Sequence, residues 1–306
     1  MGVSGSSTHA YQAMRTDVAA VPVERDLVVV SGADAETFLQ GQISQDTSIL
    51  AVSGPSWSFL LHPNGRVAAW LRIARLGADR FVLDVDPGWG PTVASRLERF
   101  KLRVKVEIEV TERWRAVAVR GPGLGAVALT TACAELILPA DWPGSPGADL
   151  LGPSVQVPEG VLEAPVEVLE AVRIEAGVPR MGAELDESTI PAEAGSWVVE
   201  SSVSFTKGCY VGQELVARIE SRGGHVPRHL RGLELDGVDR PPSGAVIVVD
   251  GREVGRVTSA APSPRTGGVV ALGSVARAVE PPCAAVVRWD DRELSASVRP
   301  LPLVHG

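Results

Sequence analysis

The chain has 306 residues, 45% of them hydrophobic, with a formal net charge of -8 at pH 7. That length and apolar content support a substantial buried core and two or three globular domains. The acidic balance, with Lys and Arg scattered rather than blocked, removes the phosphate attraction on which duplex DNA or RNA binders depend, so no nucleic-acid partner is expected.

The opening MGVSGSSTHAYQAMRTD lacks the apolar core of a signal peptide. Its MGVSGS start matches a myristoylation motif superficially and reads as a polar, flexible end. DLVVVSG (26–32) predicts a strand leading into an amphipathic helix on which Ala35, Phe38, Leu39 and Ile43 share a face. WSFLLH and RVAAWLRIARLG flank PNG, a hairpin signal because Asn and Gly tolerate positive φ. RFVLDV predicts another strand, and Asp86 and Pro87 are expected to start a helix with Val93, Leu97 and Phe100 on one face. LRVKVEIEV (102–110) alternates with period two, and WRAVAVRG predicts a further strand. This order implies antiparallel sheets with helices on one side, not a doubly wound nucleotide fold.

From 121 to 160 Gly and Pro are dense, which implies either short strands between turns or a partly mobile connection. VEVLEAVRIEAG (166–177) predicts a helix that stops at Gly177, followed by an irregular loop containing Pro179 and Pro191. GQELVARIESR places Leu215, Val216 and Ile219 on one face of a short helix. From RHLRGLEL onward only strand-like runs appear, and their regular spacing predicts a small β-barrel. No apolar run approaches the ~20 residues needed to span a bilayer, so no membrane partner is expected.

Cys133, Cys209 and Cys283 lie far apart and are odd in number, which suggests neither a disulfide framework nor a cysteine metal motif and fits a reducing cytoplasm. Asp, Glu and His form no compact ligand pattern, so no metal site is expected. GPGLG lacks the spacing of a dinucleotide loop. Cys209, within SFTKGCYVGQEL, has two features that lower a thiol pKa: Lys207 two residues before it and a helix N-terminus near Gly212. Gly208 and Gly212 clear space around the sulfur. The competing reading is a small buried cysteine in a turn. A thiol hydrolase would need His225 or His229 in contact with it, and no oxyanion motif accompanies them. Glu175, in RIEAG, sits where the helix dipole disfavours a carboxylate, which points either to a specific role or to a solvated surface position.

KGCYVGQE (Lys207, Gly208, Cys209, Tyr210, Val211, Gly212, Gln213, Glu214) closely resembles the defining motif of the YgfZ folate-binding proteins, relatives of the glycine-cleavage T-protein, an aminomethyltransferase. FLQGQISQD, LLHPNGRV and RIEAGVPRMGAELDESTIPAEAG resemble further segments of that family in the same order, so the likeness covers about residues 25–235. It implies an α+β, T-protein-like clover-leaf of three domains around a central folate channel. Two α+β subdomains would occupy 1–225, and a C-terminal β-barrel 226–306.

The same resemblance implies tetrahydrofolate or a one-carbon derivative as cofactor, and iron–sulfur client proteins or assembly factors as partners. Glu175 would read the pterin beside Arg173, a charge-assisted bidentate contact. Arg218 or Arg228 would meet the folate's glutamate carboxylates. Cys209 would be the reactive or partner-engaging thiol, with Lys207 favouring its thiolate. The T-protein aspartate that steadies charge on the folate nitrogen has no counterpart here. Ala68 and Ala69 stand in its place, and alanine is neither acid nor base. The expected function is therefore a folate-binding accessory protein for iron–sulfur enzymes. The alternative is a one-carbon transferase or demethylase whose acid comes from another position.

Overall fold

The computed structural model describes residues 5–50, 55–111 and 114–304. The chain opens not as a flexible arm but as helix α1 (Gly5–Thr16), which buries Ala10, Tyr11 and Met14. Residues 1–4, and with them the start of the myristoylation match, lie outside the described residues. Strands β1 (Ala19–Val23) and β2 (Asp26–Ser31) and helix α2 (Ala35–Gln40) follow. The predicted hairpin is β3 (Pro55–Leu61) and β4 (Val67–Gly77), and β5 (Arg80–Val85) continues the meander.

Helix α3 (Gly90–Glu98) starts later than Asp86. Its first N–H group is met by a carboxylate from another strand, since the Gly90 N–H donates to Asp26 Oδ2 at 2.8 Å. Asp86 instead pairs with Arg25 and accepts the Met181 N–H. The period-two run yields only β6 (Glu107–Thr111), because β2 offers partners from Leu27 to Ser31 and no further. Leu102, at the start of that run, is 77% exposed.

Next come β7 (Arg115–Arg120), β8 (Leu136–Pro139), β9 (Gly147–Gly152) and β10 (Leu162–Glu163), so the Gly- and Pro-dense region is short strands between turns. Helix α4 (Val166–Ala176) ends at Gly177, which adopts φ +74. Helices α5 (Ser196–Ser202) and α6 (Gln213–Ser221) complete this part. The remaining strands are β11 (Arg228–Leu235), β12 (Val246–Val249), β13 (Arg252–Ser263), β14 (Gly268–Ala276), β15 (Cys283–Trp289) and β16 (Arg292–Arg299).

These strands form two five-stranded sheets and one closed barrel. The first sheet runs β10-β1-β7-β9-β8, the second β3-β4-β5-β2-β6, and the barrel β11-β14-β13-β12-β15-β16. The chain thus begins the first sheet with β1, builds the second, and returns through β7 to complete the first. Among the strands of the described residues, only β1 with β10 is a parallel pair. Inward-facing Val, Leu and Ala of the barrel make a core of their own, and a larger one lies under the second sheet.

Charge, not only apolar packing, joins the two sheets. Arg72 of β4 reaches Asp84 of β5 at 2.5 Å and crosses to Asp149 of β9 at 2.7 Å. Asp149 also receives Arg120 of β7 at 2.7 Å, while Arg25 from the β1–β2 connection grips Asp84 at 2.8 and 3.0 Å. All but Arg25 are buried, so each charge depends on its partners for the solvation it has lost. Burial opposes ionisation of Asp149, yet Arg120 and Arg72 outweigh it and hold the carboxyl well below the usual carboxylate range.

Asp149→Asn is expected to lower unfolding free energy by about 3–5 kcal/mol at neutral pH, because it leaves Arg72 and Arg120 without a counter-charge. The folded pKa of Asp149 lies below its unfolded value, so this stabilisation is complete above about pH 4 and is lost as pH falls through the folded value. Urea unfolding of both proteins across the acid range checks it: the gap should narrow with acidification.

Candidate functional site

A cavity of about 1130 Å³ lies between the two sheets and α4. One wall is aromatic. Trp57 of β3 sits opposite Arg72 and diagonal to Trp70 of β4, a register that brings the indoles together. They stack with centroids 4.1 Å apart and planes 10° from parallel, and Trp197 of α5 packs edge-on against both. Arg72 lies 5.3 Å over Trp57, and Arg120 lies 4.1 Å over Trp142 on the facing sheet. Between these walls stand Arg25, Asp86, Asp149, Glu170 and Arg173, each of them in an ion pair. Among the described residues, the buried Nε of Arg120 finds no hydrogen-bond partner.

Arg173, singled out in the sequence, does line this cavity; it donates to Glu170, Glu184 and the Val178 carbonyl. Glu175 does not. Two residues along a helix is about 200° of rotation, so it faces away from Arg173. It is fully buried and accepts hydrogen bonds from Tyr11, Arg15, Ser263 and Arg265. In this position it ties α1 and the barrel to α4, and its burial excludes the solvated surface reading. Burial first, and the Glu175 carboxylate second, push the Tyr11 hydroxyl up to about 12. Arg218 and Arg228 are exposed and are not among the residues that line the cavity. Ala68 and Ala69 are fully buried on β4.

The octet 207–214 lies apart from the cavity lining and is docked on the FLQGQISQD stretch. The Lys207 ammonium donates to the carbonyls of Gln40, Ile43 and Gln45, each at 2.8 Å. With all three protons committed to carbonyls, Lys207 is a clamp rather than a hydrogen-bond donor to the thiol. Burial pulls its pKa down to about 8. The Val211 N–H donates to Gly41 O at 3.1 Å, and the Ser204 N–H to Ser44 O at 3.0 Å. The receiving loop is braced from within, because Gln40 Oε1 accepts from the N–H and hydroxyl of Thr47.

Gly212, at φ +84, is the N-cap of α6, and a Cβ there would stand 2.5 Å from His62 O in the β3–β4 turn. Its absent side chain therefore admits the hairpin turn, not a ligand. Gly208 faces open space. Tyr210 is buried, and its N–H donates to Gln213 Oε1 at 3.2 Å, closing the turn into α6. Glu214 lies in the first turn of α6, where a carboxylate suits the helix dipole. Cys209 is exposed, which excludes the buried reading, and among the described residues no histidine hydrogen bonds to it. Nor does any group of three or more His, Cys, Asp and Glu gather as a metal site among them, and no helix among them is long and apolar enough to cross a membrane.

The cavity and the thiol loop are nevertheless connected. The Trp70 indole N–H donates to Ser202 Oγ at 2.9 Å, and Ser202 O accepts the Ser44 hydroxyl at 2.6 Å. Sequence reasoning missed Trp57, Trp70, Asp86 and Asp149 as cavity residues; the available signal was two tryptophans in one predicted hairpin.

The family model "Glycine cleavage T-protein C-terminal barrel domain" matches residues 228–304. The chain is 29% identical over 305 residues to an aminomethyltransferase of Thermus thermophilus, covering 90% of this chain and 84% of that protein. It is 29% identical over 197 residues to an uncharacterized protein of Haemophilus influenzae, covering 64% of this chain and 66% of the other, just under two thirds. The crystal structure of glycine cleavage system aminomethyltransferase T from Bartonella henselae superposes with a TM-score of 0.77 at 20% identity, covering 97% of this chain and 89% of that one. The chain has the T-protein fold, with two mixed α/β regions and a closed six-stranded barrel.

Lys207→Met is expected to reduce stability by about 1.5–3 kcal/mol, the contribution of hydrogen bonds to a charged donor. It should also speed amide exchange at Ser204 and Val211, read by hydrogen–deuterium exchange. Glu175→Gln is expected to lower stability by roughly 3 kcal/mol, as for breaking a buried ion pair, and to loosen α1 before the sheets unfold, seen as early exchange of its amides.

Proposed function

We propose that this protein binds tetrahydrofolate, or a one-carbon derivative, in the tryptophan-walled cavity. Through Cys209 it then supports assembly or repair of iron–sulfur enzymes in the cytoplasm. The observation that carries the reading is the pairing of that cavity with an exposed cysteine whose loop is bonded to the cavity wall through Trp70, Ser202 and Ser44.

The residues suit the ligand. Trp57 and Trp70 offer flat faces to a bicyclic ring. Asp149 and Asp86 keep lone pairs for the N–H groups of a 2-aminopyrimidinone edge, the task first expected of Glu175. The orphan Arg120 Nε adds a donor on the same side. A one-carbon derivative would bring its carbon unit on N5, N10 or both, and this chain's residues would hold and orient the ring. The exposed thiol, outside the cavity, is the group that meets a client or assembly factor.

A second reading, one-carbon transfer, is favoured by the carboxylates in the cavity and by relatives named aminomethyltransferases. Ala68 and Ala69 weigh against the glycine-cleavage reaction itself, and a transferase would have to draw its acid from Asp86 or Asp149.

Tetrahydrofolate is expected to quench tryptophan fluorescence saturably. Trp57→Leu should weaken binding about tenfold, while Glu175→Gln should leave it within about twofold. Cys209→Ser should bind folate normally yet fail to restore iron–sulfur enzyme activity in a deletion strain. Full restoration would remove the thiol from the account, and a substrate-dependent change in the folate's one-carbon state would favour the transferase.

A further inference from the structure

A cationic stretch of surface runs from α6 into the barrel. Arg218 and Arg222, four residues apart, share the solvent face of α6, and both are exposed. After the turn at Gly223 and Gly224, β11 opens with exposed Arg228 and carries His229 and Arg231 two residues apart on its other face, both half-buried. Strand pairing brings exposed Arg277 beside them: Arg228 stands opposite Ala276, and the Arg277 N–H donates to Pro227 O at 3.0 Å.

These charges lack partners. Among the described residues none of the five arginines forms an ion pair or donates a side-chain hydrogen bond. Burial first, then Arg231 and Arg277, hold the His229 imidazole below its ordinary value. The exposed carboxylates on the same segments are Glu214, Glu220 and Glu280, and Glu193, within reach of Arg228, is occupied by the Ile190 N–H at 2.9 Å. A positive excess on one surface of a chain of net charge -8 repels itself and does nothing for folding, but it gives an approaching anion a direction. Residues 218–231 include no Trp, Tyr or Phe on which bases could stack, and the overall charge opposes a polyanion, so a protein suits this surface better than a nucleic acid. The surface also begins at the thiol loop, since α6 starts at Gln213, four residues after exposed Cys209.

We propose that Arg218, Arg222, Arg228, Arg231 and Arg277 form a docking surface for an acidic segment of the protein partner that Cys209 engages. The proposal rests on the reading of Cys209 as a partner-engaging thiol, and adds the chemistry of the surface that partner presents. Exposed charges of this kind act mainly on the rate of encounter, and salt screens them.

The test uses the full chain with Cys133→Ser and Cys283→Ser, which leaves Cys209 as its single thiol. Three cysteine peptides of one length, flanked by Glu, Gln or Lys, are activated as 2-pyridyl disulfides. The Cys209 thiolate displaces the pyridyl sulfur to form a mixed disulfide, and the released group takes up a proton as pyridine-2-thione, whose absorbance reads the rate. The Glu peptide is expected to react about five- to tenfold faster than the Gln peptide at low salt, and the Lys peptide more slowly, with the spread closing near about 1 M salt. Arg218→Gln with Arg222→Gln should bring the Glu rate to within about twofold of the Gln rate, while the Gln rate holds and shows the thiol loop intact. Equal rates for the three peptides overturn the proposal, as does a Glu advantage that survives the double substitution. A uridine oligomer of matched charge that binds more tightly than the Glu peptide, read by fluorescence anisotropy, assigns the surface to nucleic acid, and a salt-sensitive dimer of the chain alone assigns it to a second copy; either result overturns the proposal. Charge-blind exchange strikes the docking surface alone, whereas full restoration of iron–sulfur enzyme activity by Cys209→Ser strikes the thiol reading beneath it.

Discussion

Asp149 is the point at which the two sheets depend on each other. Its carboxylate takes Arg72 from one sheet and Arg120 from its own, while Arg72 is anchored behind by Asp84. Buried ions of this kind add little net stability compared with apolar packing, but they are costly to break and they fix geometry. Here they hold the sheets in one relation and leave a space between them. The tryptophan stack and the ion pairs along its walls are the features on which the ligand-cavity proposal rests.

A second ionic device sets the thiol outside it. The Lys207 ammonium gathers three carbonyls of the 40–45 segment, so the octet is pinned to the loop after α2 and Cys209 projects to solvent. The cavity and the thiol lie apart and are linked through the Trp70–Ser202–Ser44 hydrogen bonds.

Much of the fold was legible from residues alone. The hairpin around Asn64 and Gly65, the α4 helix ending at Gly177 and the barrel strands all follow from local pattern. α1 was missed because its exposed face is polar enough to resemble a tail, although Ala10, Tyr11 and Met14 carry a buried face. The octet was recognisable as a unit, but Lys207 could be given its role only once the 40–45 carbonyls were beside it in space. The surroundings of Glu175 are illegible for a similar reason: its four donors come from α1 and from the strand and turn at 263–265, remote in sequence. The cavity residues were least legible, since Asp86, Asp149 and Trp57 meet only through the pairing of sheets that the chain builds out of order.

In the proposed reading, ring and thiol occupy separate sites on one scaffold. The most direct measurement is a crystal structure of the protein with tetrahydrofolate bound. The account predicts the ring against Trp57 and Trp70 with Asp149 or Asp86 at its edge, Glu175 still bonded to Tyr11 and Arg15, and the Cys209 sulfur in solvent. A ring contacting Cys209, or one held by Glu175 after release from Tyr11, would contradict it.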